Sequence, residues 1–84
     1  MPFEVILHPE VVKFLNESLP EIRERIKKKF YLLKENPFDY LEHFEGDYYK
    51  LRVGDYRALI DVDFENKIIK IQVLDHRGRI YKGK

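Results

Sequence analysis

The chain of 84 residues contains no cysteine and no tryptophan. Without thiols it has neither a disulfide framework nor a thiolate zinc site. Histidines at paired ligand spacing are also missing, so neither a metal nor a cofactor is expected. No run approaches the roughly 18 apolar residues of a membrane span, and no charged-then-apolar start marks a signal peptide. The expected setting is the cytoplasm, with no membrane partner. Repeats, low-complexity segments and linker-like stretches are absent, so residues 1–84 read as one domain. The formal net charge of +1 names no partner by itself.

What is present is a globular composition, with 44% hydrophobic and 14% aromatic residues. The small net charge hides an asymmetry. Residues 1–47 carry seven basic and ten acidic side chains, whereas residues 48–84 carry nine and five. The acids Asp39, Glu42, Glu45 and Asp47 gather in the middle, and the carboxyl half is basic. The acidic run Asp61, Asp63, Glu65 resembles a calcium loop only superficially. Asn66 stands where the required glycine belongs and Gln72 where the bidentate glutamate belongs.

Phe3 to Leu7 reads as a first strand. Pro9, tolerated at a first helical position, opens a helix running through Val11, Val12, Phe14 and Leu15 to about Ser18. Ser18 and Glu21 have capping-box spacing before a second helix. Its residues Ile22, Ile26, Phe30 and Leu33 recur at helical spacing as a stripe for a sheet. Asn36-Pro37 ends it. Residues 37–46 read as a loop and the remainder as a three-stranded meander. The expected fold class is α+β: two layers, with an N-terminal strand and a two-helix hairpin packed on a mostly antiparallel sheet.

The densest information lies in Tyr48 to Arg57. Tyr49, Leu51 and Val53 alternate with Tyr48, Lys50 and Arg52, the period of a half-buried strand. Gly54-Asp55 fits a two-residue turn in which glycine supplies a positive φ. Val53 then faces Tyr56, and Arg52 faces Arg57. Continuing by parity, Tyr56, Ala58, Ile60 and Val62 share the core face with Ile69, Ile71 and Val73. Pairing Val62 with Ile69 sets Asp61 opposite Lys70 and Leu59 opposite Gln72. The two facing guanidinium groups repel by about 1 kcal/mol in water and about 3 kcal/mol at an effective dielectric near 20. Lys50 adds to the crowding, and an anion is the natural relief.

The segments Lys-Leu-Arg-Val-Gly-Asp-Tyr-Arg (50–57) and Val-Leu-Asp-His-Arg-Gly-Arg-Ile-Tyr (73–81), with His8-Pro9 and Asn36-Pro37 upstream, resemble the RelE/ParE toxin superfamily, most closely archaeal-type RelE. The resemblance spans nearly the whole chain. It implies a microbial-RNase-like fold and a type II toxin that cleaves messenger RNA in the ribosomal A site. It also implies a small RelB-like antitoxin that wraps the toxin into a hetero-oligomer and covers its basic face. Carried over by position, Lys50 is implicated in proton abstraction or phosphate binding, and Arg57 in stabilising the transition state. Arg77 matches the arginine after the last core strand, and Tyr81 a substrate-stacking tyrosine. Arg52, Arg79 and Tyr48 are the further RNA-binding candidates, although Tyr48 stands where some RelE proteins have lysine. The three residues after Tyr81 leave no room for the terminal helix of some members.

Independently of the family, metal-free RNA cleavage uses the neighbouring 2′-hydroxyl as nucleophile and needs a proton acceptor, a cationic clamp and a proton donor. Lys50 would suit an acceptor if nearby Arg52 and Arg57 depressed its pKa. The permanently charged arginines clamp but do not shuttle protons. Plainer readings stand beside these. The facing arginines are ordinary surface residues, splayed apart or paired with Asp55 and Asp75, Tyr81 anchors a strand, Lys27 to Lys29 form a solvated helix face, and His8 and His43 are structural. His76 is either a strand residue or a proton carrier beside Arg77. Two other functions remain open: a ParE-like DNA gyrase inhibitor, and an RNA- or protein-binding module with degraded activity.

Overall fold

The computed structural model describes residues 2–46 and 48–76. The chain runs β1 (Glu4–Leu7), α1 (Pro9–Asn16), α2 (Pro20–Leu33), a short 3-10 turn (Pro37–Asp39), then β2 (Glu42–Glu45), β3 (Tyr48–Val53), β4 (Tyr56–Asp63) and β5 (Ile68–His76). One five-stranded sheet results, in the order β1-β5-β4-β3-β2. Only β1 and β5 pair in parallel; the other neighbours are antiparallel. The α+β class with helices over a mostly antiparallel sheet is as expected.

The helices form where the local chemistry allows. His8 caps α1, its Nδ1 accepting the Glu10 amide at 3.0 Å, and Pro9 occupies the first turn. The capping box at Ser18 and Glu21 does not form. Leu19 is the N-cap of α2, with no side-chain hydrogen bond. Ser18 instead closes the preceding helix, its Oγ donating to the Phe14 carbonyl at 2.8 Å. Arg23 completes that junction, Nε donating to Leu15 O at 2.9 Å and Nη2 to Ser18 O at 3.1 Å. The exposed carbonyl end of α1 draws these donors, while Pro20 starts α2 with φ already set.

Val11, Leu15, Ile26, Phe30 and Leu33 bury the helix faces against Leu51, Val53, Ala58, Ile60, Val62, Ile69, Ile71 and Leu74. The α2 stripe is the one read from the sequence. Two expectations need correcting. Residues 37–46 are not all loop: β2 lies within them and makes the meander four-stranded. It pairs Glu42 with Lys50 and His43 with Tyr49, then shifts register before Glu45. All four residues of β2 are exposed, so no apolar alternation announces them.

The second correction concerns β5. Val62 faces Ile69 and Asp61 faces Lys70, as expected, but Leu59 faces Val73 rather than Gln72. Gln72 is the extra residue of a β-bulge, and a bulge inverts side-chain parity beyond it. Leu74 therefore enters the core at 6% exposure while Val73 turns outward at 40%. The strand also continues past Leu74 to His76.

Truncation separates the two registers. Leu74→Ala is expected to cost about 2–5 kcal/mol, as for a buried leucine, and Val73→Ala no more than about 0.5 kcal/mol, as for a surface site. Urea unfolding of both variants measures this, and the reverse order would restore the unbulged register. Arg23→Ala, which removes both donors at the helix junction, is expected to cost about 2 kcal/mol, read in the same assay. An unchanged midpoint would show that the junction needs neither bond.

Candidate nucleic-acid cleft

The β3–β4 hairpin builds the site. Gly54 takes φ +59° at the turn, and the register that follows places Arg52 opposite Arg57 and Val53 opposite Tyr56. Because cross-strand partners share a face, Glu42, Lys50, Arg52 and Arg57 come to one side of the sheet, with Leu51 and Val53 buried on the other.

These four residues line a cleft of about 390 Å³ together with Lys29 of α2 and Tyr40, which follows the 3-10 turn. Four cations face one carboxylate among the described lining residues. Lys50 Nζ lies 3.7 Å from Glu42 Oε1, both side chains reaching solvent. It also stands 5.9 Å from the Phe44 ring centroid. A solvent-accessible pair of this kind contributes about 0–1 kcal/mol. Lys29 Nζ sits 5.2 Å from the Tyr40 ring centroid, a cation–π contact at the cleft wall.

Arg57 differs from its partner. It is the buried charged residue among those described, at 9% exposure, where the sequence suggested a fully open face. Its Nη1 donates to the carbonyls of Gly54 at 3.4 Å and Tyr56 at 3.3 Å. Both bonds are long, so they orient the guanidinium without using up its five donors. Burial lowers the local dielectric, and a charge held there acts more strongly on a bound anion than one in water.

The structure therefore brings together Lys50, Arg52 and Arg57 from the sequence candidates. Tyr48 precedes Lys50 by two on β3 and is half exposed, but it is not among the residues lining the cleft. Arg77, Arg79 and Tyr81 lie outside the described residues. His43 is structural, its Nε2 bonded to Gly46 O at 2.8 Å. His76 stands edge-on to Tyr56 at 5.0 Å between ring centroids. Lys29, Tyr40 and Glu42 are additions that the sequence reading did not place in the site. Lys29 was visible only as part of a lysine run, and Glu42 meets Lys50 only through the unforeseen strand β2.

The family model for the ParE toxin of the type II toxin-antitoxin system, parDE, matches residues 5–81. A Methanocaldococcus jannaschii protein that carries the toxin name RelE1 is 30% identical over 90 residues, covering 99% of both chains. Among solved structures, the archaeal RelE–RelB complex from Pyrococcus horikoshii OT3 superposes with a TM-score of 0.80 and 31% identity, over 94% of this chain and 99% of that one. The isolated Escherichia coli RelE toxin shares the fold, with a TM-score of 0.74 at 20% identity over 95% of this chain and 92% of that one. With its helix pair, its sheet order and its basic cleft, the chain belongs to the RelE/ParE toxin family of type II toxin–antitoxin systems.

Proposed function

We propose that this toxin is a metal-independent endoribonuclease that cuts messenger RNA in the ribosomal A site and so halts translation. The observation that carries the reading is the convergence of Lys50, Arg52 and Arg57 on one cleft, with Arg57 part-buried and oriented. A pentavalent phosphorane carries more charge than the diester from which it forms. Fixed cations in a partly desolvated site therefore stabilise it more than the ground state.

In this scheme the 2′-oxygen attacks its adjacent phosphorus and the bond to the 5′-oxygen breaks, leaving a 2′,3′-cyclic phosphate and a 5′-oxygen that takes a proton from water to become a hydroxyl. Lys50 takes the 2′-hydroxyl proton or holds a non-bridging oxygen. Arg57 clamps the developing charge and Arg52 shares it. From the family resemblance, Arg77 joins the clamp and Tyr81 stacks on a base; Arg79 and Tyr48 are further candidates for contact with the RNA chain. No imidazole lines the cleft among the described residues, which favours a ribosome-arranged substrate over free RNA.

The proposed partner is a RelB-like antitoxin. Chains from RelE–RelB complexes of Pyrococcus horikoshii OT3 and Methanococcus jannaschii resemble this chain at 31% and 27% identity. Leu19 and Tyr31, 67% and 70% exposed on the helix pair, offer apolar surface to an amphipathic antitoxin helix. An extended segment over the sheet would cover the cleft. The family model's name favours one alternative, ParE-like inhibition of DNA gyrase. The set Lys50, Arg57, Arg77 and Tyr81 argues for the nuclease.

Arg57→Ala and Arg77→Ala are each expected to slow cleavage of ribosome-bound message by about 100-fold or more, the usual loss on removing one transition-state donor. Primer extension on translating ribosomes measures it. Parental rates in both variants would refute the assignment, and DNA damage without cut message would establish the gyrase alternative. Leu19→Asp with Tyr31→Asp is expected to weaken capture of the antitoxin by about 10-fold or more, in the range of lost interface anchors. Undiminished binding by calorimetry would move the helix dock elsewhere.

A further inference from the structure

Arg52 and Lys29 border two hollows. One is the cleft above. The other, about 250 Å³, lies between α2 and the β3–β4 turn, where Arg25, Lys28, Lys29 and Arg52 surround Leu32 and Val53. Four cations and no carboxylate line it among the described residues. Glutamates stand close by in sequence: Glu21 precedes Arg25, and Glu24 precedes Lys28, by the four-residue spacing that favours helical ion pairs. Neither pair forms; the ion pair among the described residues is that of Lys50 with Glu42. Arg25 instead reaches the turn, its Nη1 3.5 Å from the point a β-carbon on Gly54 would occupy. A fold gains nothing by pooling these charges, since like charges on neighbouring elements repel.

We propose that this second groove carries the RNA chain onward from the cleft, so that phosphates flanking the reacting one are held by Arg25 and Lys28. The proposal rests on reading the cleft as a phosphodiester site. Sharing Lys29 and Arg52, the two hollows adjoin and form a basic path from the cleft to the space between α2 and the β3–β4 turn. A single-stranded polyanion needs such a path, with cations spaced along it to track the backbone. An acidic amphipathic peptide would need a broad apolar floor, whereas here Val53 is buried and Leu32 is the apolar side chain left open among the described lining residues.

The test uses the purified toxin and 2′-O-methyl RNA, which binds but is not cut, with affinity measured over a range of salt. Two lengths are compared, a tetranucleotide that fills the cleft and an oligomer of about 12 nucleotides that also reaches the groove. Each phosphate contact to a single strand adds about 0.7 to the slope of log affinity against log salt. R25Q/K28Q is expected to lower the slope for the longer RNA by about 1.4 and its affinity by roughly 10-fold. Binding of the tetranucleotide should stay unchanged, and R25K/K28R should restore the parental slope. A parental slope in R25Q/K28Q overturns the proposal, as does equal loss at both lengths. Loss of affinity for an acidic helical peptide with the RNA slope intact also overturns it and makes the groove a protein site. If the parent binds with the length-dependent slope but cuts no ribosome-bound message, the nuclease reading fails and the groove stands. If the parent cuts normally while R25Q/K28Q keeps the full slope, only the groove falls.

Discussion

Pairing Arg52 with Arg57 across the β3–β4 hairpin is the constraint around which the molecule is organised. Left to themselves the two guanidinium groups would separate, at a gain of about 1–3 kcal/mol. They do not, because the same register buries Leu51, Val53, Ala58 and Ile60 beneath the helices. Each of the larger side chains contributes about 1.5–3 kcal/mol on burial. A slip of one residue would exchange the faces, exposing the apolar set and burying the cations. Core burial therefore outweighs the repulsion severalfold and holds the positive charge in place before any ligand arrives. The tight turn through Gly54 makes the register unambiguous.

Around that hairpin the remaining elements act at different ranges. Helix α2 stabilises the sheet through Ile26, Phe30 and Leu33, and from another part of its surface it sends Lys29 to the cleft wall. Strand β2 adds little to the core, since its residues are exposed, yet it delivers the carboxylate that meets Lys50. Elements that carry the fold and elements that shape the site thus overlap only in part. Such a division suits a scaffold whose relatives share the architecture at low sequence identity.

Where the sequence spoke clearly, it did so through periodicity and turn chemistry. The α2 stripe, the Gly54 turn and the facing arginines all follow from local rules, and each is found as read. Local rules failed where one residue changed the count or where no apolar side chain marked the pattern. Gln72 looks like any polar residue on an exposed strand face, and nothing near it signals that Leu74 rather than Val73 turns inward. Glu42 to Glu45 form a strand because β3 offers an edge, which is a long-range cause. Ser18 had the right spacing for a cap, but the carbonyl end of α1 competed for its hydroxyl and won. Of the candidate site, the cations of the hairpin were legible and those from α2 were not. Helical position alone does not say which lysine of a run reaches around to the sheet.

The parallel pairing of β1 with β5 bears on when this protein becomes dangerous. β1 is made first, yet its sheet neighbour is the last strand described, Ile68 to His76. The opening segment has no backbone partner in the sheet until β5 is formed. A contact of such long sequence separation forms late, so the sheet closes only once β5 is in place. The topology therefore delays the finished toxin fold until its first and last described strands have met.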